Sequence, residues 1–179
     1  AEGMAAMPAQ LADRARSAGV TIETGQEVTA IEGGDGEATV ETATETMAPD
    51  GAVVATDPRT AAELSGIDGI PTDTIGCVTQ YFSLPETQPL NTDGRLILNT
   101  VDDRPNQVAP LSAVAPGYAP DGQQLLSATV LGTPEESDDE LAEDVREALA
   151  SWYPARSFGE LALLETHRIP FAQFDQPPG

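Results

Sequence analysis

Lysine is missing from this sequence altogether: the eight basic residues are all Arg, they face 30 Asp and Glu, and the formal net charge is -22. Phosphate backbones repel a surface of that sign, which argues against nucleic acid as a partner. Cysteine is nearly as scarce. Cys77 is the only one, so no internal disulfide can form. His167 is the only histidine, and a catalytic triad or a His-based metal site would have to take its other members from acids or from Cys77. No apolar run approaches the roughly 18 residues of a membrane-spanning helix. The opening AEGMAAMPAQ lacks the basic-then-apolar order of a signal peptide. These absences favour a cytoplasmic protein with no membrane-spanning segment, and the missing initiator Met suits an excised segment of a longer one.

What is present is enough to fold. The chain has 179 residues, 40% of them hydrophobic, which suffices for a real core. Its acids are interleaved with regularly spaced Leu, Val and Ile, a pattern that opposes a disordered acidic chain. A charge of this size repels itself at ordinary ionic strength, but at about 1 M salt the Debye length falls to roughly 3 Å and the repulsion is screened. The expected setting is a high-salt cytoplasm, as in a halophile.

Met4, Met7 and Leu11, spaced three and four apart, predict a helix over 4–17 that ends at Gly19. Short strands are expected at 20–22, 27–31 and 37–42, the last two joined as a hairpin by Gly33-Gly34-Asp35-Gly36. An apolar strand at 52–55 should turn through Thr56-Asp57-Pro58 into a second helix, with Asp57 as N-cap, Pro58 at the first helical position and Gly66 as its stop. Extended segments follow at 77–84, 95–99 and 125–131. Residues 105–122, with four prolines, read as a loop outside the sheet. Ser137 and Glu140 form a capping box for a third helix whose Leu141, Val145, Leu149 and Trp152 share one face before Pro154. A last extended stretch runs over 161–174.

Each chemical motif has a plain structural alternative. GGDG lacks the Lys-Ser/Thr of a phosphate loop and sits between strands, so a hairpin turn is favoured. The acids of 135–144 follow helical spacing without the glycine of a calcium loop, which favours a solvated helix face. His167 reads first as a strand residue satisfied by a neighbour, and Cys77, with no CxxC partner, as a buried inert thiol. Tyr81, Phe82, Phe171 and Phe174 are core aromatics or the wall of an apolar pocket.

Gly3-Met4, Pro8, Leu11-Ala12, Gly19-Val20, Ile22, Gly25, Val28 and Ile31, followed by VVATDP at 53–58, resemble the FAD-dependent oxidoreductases of the amine oxidase and phytoene desaturase superfamily, here of a halophilic archaeal type. The likeness continues through 77–84, which is similar to a substrate-domain strand, and HRIPFAQFDQPPG at 167–179, which looks like the segment before the family's C-terminal FAD motif. By that resemblance the main chain at Val28 meets the adenine of FAD, and Ala55 and Thr56 approach the dinucleotide from a strand end. The GxGxxG fingerprint and the later glycine-acid segment are not matched.

The resemblance implies an α+β fold with a mixed, mainly antiparallel sheet and about three helices. Residues 1–58 would return to the FAD-binding domain, 59–174 would form the substrate domain, and 175–179 would begin the way back. It further implies the substrate-binding portion of a FAD-dependent oxidoreductase that takes a small amine or an apolar substrate and is inactive as a fragment. Tyr81, Phe82, His167, Phe171 and Gln173 are its candidate pocket residues, with no catalytic residue or metal ligand among them. The alternative from another class is a non-catalytic acidic binding module.

Overall fold

The computed structural model describes residues 3–34, 36–90, 92–101 and 104–174. The readings at residue 35 of the hairpin and at 175–179 lie outside them. The described chain is α+β with two mainly antiparallel sheets. It divides into two compact units, one running to Asp73 and the other spanning Thr74–Gln173.

In the first unit a short turn of 3-10 helix, Gly3–Ala5, leads into α1, Ala6–Ser17. The helix closes where Ala18 N–H donates to the Arg14 carbonyl at 3.0 Å, and Gly19 follows at a φ of 90°. Strands β1 (Val28–Gly34) and β2 (Glu37–Thr42) form the expected hairpin, with Ile31 opposite Val40 and Gly33 opposite Ala38, and β3 (Thr46–Met47) adds a third strand. β1 runs past its expected end because its two glycines keep pairing with β2.

Two expected strands are absent. Residues 20–22 and 52–55 lie outside the sheet, and Val53 is 93% exposed. Both have strand-like composition, but extended chain becomes a strand only when another strand takes its backbone hydrogen bonds. Helix α2 (Pro58–Ser65) forms as the sequence predicts: the Asp57 carboxylate accepts from Thr60 N–H at 3.1 Å, Gly66 caps the far end at a φ of 63°, and the helix packs against β1.

The second unit is a five-stranded sheet in the order β5-β6-β7-β4-β8. Its spine is β4 (Thr74–Pro85) paired antiparallel with β7 (Gln123–Leu131), from Cys77 opposite Leu131 to Pro85 opposite Gln123. Alternation sends Val78, Gln80, Phe82 and Leu84 of β4 to one face, where all are buried with Leu126, Ala128 and Val130 of β7. Ala142, Val145 and Leu149 of helix α4 (Asp138–Trp152) close over that face, joined by Phe158 and Leu161. Each large apolar side chain so buried contributes about 1.5–3 kcal/mol.

The segment read as a loop outside the sheet contains an interior strand. β6 (Gln107–Pro110) lies between β7 and the two-residue β5 (Ile97–Leu98), with Val108 buried opposite Ala128. Its prolines bound the strand without breaking it: Pro105 precedes it and Pro110 ends it. Asn106 locks the register, its N–H donating to the Thr129 carbonyl at 2.8 Å and its Oδ1 accepting from Leu131 N–H at 2.7 Å. A one-turn helix α3 (Leu111–Val114) then leads toward β7, and β8 (Ala162–Phe174) flanks β4 at the sheet's other edge.

The capping box of α4 is complete. The Ser137 hydroxyl accepts from Glu140 N–H at 3.3 Å, and the Glu140 carboxylate accepts from Ser137 N–H at 2.8 Å. Arg168 of β8 binds this helix start, donating to Asp138 Oδ1 at 2.8 and 3.0 Å and to the carbonyls of Pro134 and Glu136. Arg104 bonds Glu136. The Ser137 hydroxyl, then its N–H, holds the Glu140 carboxyl below the usual glutamate range, and the Arg104 hydrogen bond does the same for Glu136. A carboxylate depressed in the fold stabilises it at neutral pH, and that contribution is lost as pH falls through the lowered value. Ser137→Ala removes the N-cap acceptor of α4 and should cost about 1 kcal/mol of stability. It should also raise the Glu140 titration midpoint, followed by NMR, toward the ordinary range, with the remaining Ser137 N–H still holding it below.

Candidate functional site

The face of the large sheet turned away from α4 is the candidate site. It carries Cys77, Thr79, Tyr81 and Ser83 of β4, each opposite a residue of β7: Leu131, Thr129, Ser127 and Leu125. β6 adds Gln107 beside Thr129 and Ala109 beside Ser127. All are half-buried except Leu131, which is exposed. The Thr79 and Thr129 hydroxyls are 3.4 Å apart, and Gln107 Nε2 donates to the Thr129 hydroxyl at 3.4 Å. From β8 the His167 ring stands edge-on to Tyr81, centroids 5.7 Å apart and planes at 83°.

Tyr81 and His167 are thus the two expected pocket residues that the fold brings together. Phe82 is not with them: it is 1% exposed, on the opposite face, within the core under α4. Neighbours along a strand point to opposite faces, so Tyr81 and Phe82 cannot wall one pocket. Phe171 is half-buried and Gln173 exposed farther along β8, where the Gln173 carbonyl lies 3.4 Å from the Thr74 hydroxyl. Cys77 is half-buried on the open face and is not the core thiol that its apolar strand suggested. Beside it, Gly76 is a forced choice. A Cβ there would lie 2.6 Å from Thr133 Cγ2 and 3.1 Å from the Ile169 and Pro170 carbonyl oxygens.

Two features were missed from sequence. Gln80 is 2% exposed in an otherwise apolar row, and its Nε2 donates to the Asp138 carbonyl at 2.8 Å and the Thr166 hydroxyl at 3.2 Å, tying β4 to α4 and β8. Its inward position follows from the alternation of Val78, Phe82 and Leu84; its partners do not. β8 also changes parity: Leu163 packs on the core, yet Thr166, three residues on, reaches Gln80 on the same side. That step is what turns His167 to the open face. Alternation counted from Leu163 would have buried it.

Of the residues expected to meet a dinucleotide, Val28 opens β1 and is half-buried, while Ala55 and Thr56 are exposed just before the Asp57 cap. Their main chain lies outside helix and ladder at 53–56 and carries only small or apolar side chains, which suits backbone pairing to an adenine edge or a ribityl chain. Asp57 supplies a negative charge at the α2 start and does not suit a pyrophosphate there. A surface cleft of about 500 Å³ in the second unit, lined by Glu86, Leu90, Ser112 and Gln123 among others, contains none of the expected site residues. Among the described residues no group of three or more His, Cys, Asp or Glu is placed to hold a metal ion, and no helix is long and apolar enough to cross a membrane.

The family model described as flavin containing amine oxidoreductase matches residues 1–170. No curated protein matches the chain. Among solved structures, an oxidoreductase from Methanosarcina mazei superposes with a TM-score of 0.66 at 18% identity, over 88% of this chain and 40% of its own. Reduced UDP-galactopyranose mutase gives 0.62 at 16%, over 87% and 38%. The fatty acid isomerase of P. acnes that produces CLA gives 0.54 at 12%, over 82% and 35%. The likeness is one of fold, and the chain spans about two fifths or less of the length of these structures.

Proposed function

The chain belongs to the flavin containing amine oxidoreductases, and from that premise we propose that it is the substrate-binding portion of a FAD-dependent oxidoreductase, with the open sheet face as substrate wall. The observation that carries this reading is the asymmetry of the sheet: one face is sealed by α4, while the other presents Tyr81, His167 and a row of hydroxyls, all unsealed. Tyr81 and His167 form the wall's centre, Phe171 and Gln173 its extension along β8, and Phe82 supports Tyr81 from behind the sheet. The main chain at Val28, Ala55 and Thr56 would hold part of the FAD. When bound, the flavin would supply the hydride-accepting chemistry, while this chain's residues orient the substrate and exclude water. The acidic, lysine-free surface fits work in a high-salt cytoplasm of the halophilic archaeal kind.

The full-length protein carrying this chain, purified in concentrated KCl, should show flavin absorbance or take up added FAD stoichiometrically. Absence of both overturns the reading.

A further inference from the structure

Gln80 is a costly residue for its place. It stands in the row of Val78, Phe82 and Leu84 on the sealed side of β4, and among the described residues it is the one polar side chain in the core, 2% exposed. Its Oε1 is buried without a hydrogen-bond partner. A methionine of similar shape would leave no orphaned acceptor there and should hold the core as well or better. The amide therefore serves something other than core stability.

What it does is hold Thr166. Gln80 Nε2 donates to the Thr166 hydroxyl at 3.2 Å and to the Asp138 carbonyl at 2.8 Å, which turns Thr166 of β8 to the helix side. Neighbours along a strand face opposite ways, so His167 is turned to the open face, as Tyr81 is by its place next to Gln80. The two strands are adjacent in the sheet. Gln80 with Thr166 and Tyr81 with His167 are thus neighbouring pairs on its two sides, the first joined by a hydrogen bond and the second by ring contact at 5.7 Å.

The pattern of β8 does not settle this orientation by itself. Strict alternation from Leu163, which packs on the core, would turn Thr166 outward and His167 inward. Leu164 and Glu165 are both exposed, so the step falls between Leu163 and Thr166, and the strand needs an anchor beyond it. Arg168 is one, paired with Asp138 at 2.8 Å, but both side chains are partly exposed and charged, and such pairs weaken in concentrated salt. The Gln80 amide is neutral and fixed in the core, where salt does not screen it.

We infer that Gln80 is a positioning residue: through Thr166 it fixes the parity of β8 and so holds His167 against Tyr81. Its functional meaning rests on the reading of the open face as substrate wall.

In the isotopically labelled chain in concentrated KCl, the NMR cross-peak between the Tyr81 and His167 ring protons reports the contact, and thermal unfolding reports the fold. Gln80→Met should leave the unfolding midpoint unchanged or raise it, yet cut the cross-peak to half or less. Thr166→Val, which keeps the shape and removes the hydroxyl, should cut it equally, whereas Thr166→Ser should keep it. The double variant Gln80→Met, Thr166→Val should lose no more than either alone, because both remove the same bond. If Gln80→Met lowers the midpoint, the decision passes to the two Thr166 variants, in which the core row is untouched. An undiminished cross-peak in a folded Gln80→Met or in Thr166→Val overturns the inference, as does its loss in Thr166→Ser. Flavin uptake by the full-length protein is read separately: its absence sinks the substrate-wall reading and leaves the positioning of His167 standing, while an undiminished cross-peak sinks the positioning alone.

Discussion

Phe82→Ala is expected to cost about 3–5 kcal/mol, and Tyr81→Ala, one residue away, only about 1–2 kcal/mol. Phe82 is 1% exposed among Leu84, Leu126, Val145 and Leu149, so truncation removes its transfer free energy and leaves a cavity that rigid neighbours cannot fill. Tyr81 is half-buried on the open face, and truncation there loses the edge-on contact with His167 and partial burial, with no enclosed void. Denaturant unfolding of both variants in concentrated KCl makes the comparison. Ligand binding should respond in the opposite order, with Tyr81→Ala impaired in a protein that still folds. Equal destabilisation by the two substitutions would contradict the assignment of faces.

The second large effect concerns salt. Thirty acids against eight Arg leave 22 negative charges without a compensating positive charge. Two such charges 8 Å apart repel by about 0.5 kcal/mol in unscreened water, and ten close pairs would sum to ~5 kcal/mol. That is comparable with the whole stability of an ordinary domain. Lowering KCl from about 1 M to about 10 mM lengthens the Debye length from roughly 3 to 30 Å and restores most of this repulsion. The chain should therefore lose its circular dichroism signal and expand on gel filtration at low salt, and regain both when salt returns. Structure that persists undiminished at very low ionic strength would sink the claim of salt adaptation.

Local chemistry made much of the fold legible. Asp57-Pro58 and Ser137-x-x-Glu140 mark helix starts because capping is a contact within four residues, and the β1-β2 hairpin follows from a glycine-rich turn between two alternating segments. Features that depend on distant partners were not legible. Residues 20–22 and 52–55 have the composition of strands and no strand beside them, and β6 is hard to read because prolines flank a segment of only four residues whose inward positions are Val108 and Pro110. At the site, the pairing of Tyr81 with His167 depends on a parity step in β8 that no period in the sequence announces. Phe82 belongs to the core for a simpler reason: adjacent residues of a strand face opposite sides, so only one of Tyr81 and Phe82 can reach the open face.

The division of the core between the two units bears on how the sequence can evolve. Among the described residues every buried one lies in Thr74–Gln173, and none lies before it. Surface replacements away from caps and turns usually change stability by no more than about 0.5 kcal/mol. Folding stability thus restrains substitution only weakly across the first unit, apart from the caps, the turns and the backbone at Val28, Ala55 and Thr56. β4, β7 and α4 are held nearly still by selection for folding. Lineages of this protein should diverge fastest where α1 and the small hairpin lie, and keep their volume and alternation in the core that Phe82 and Leu149 share.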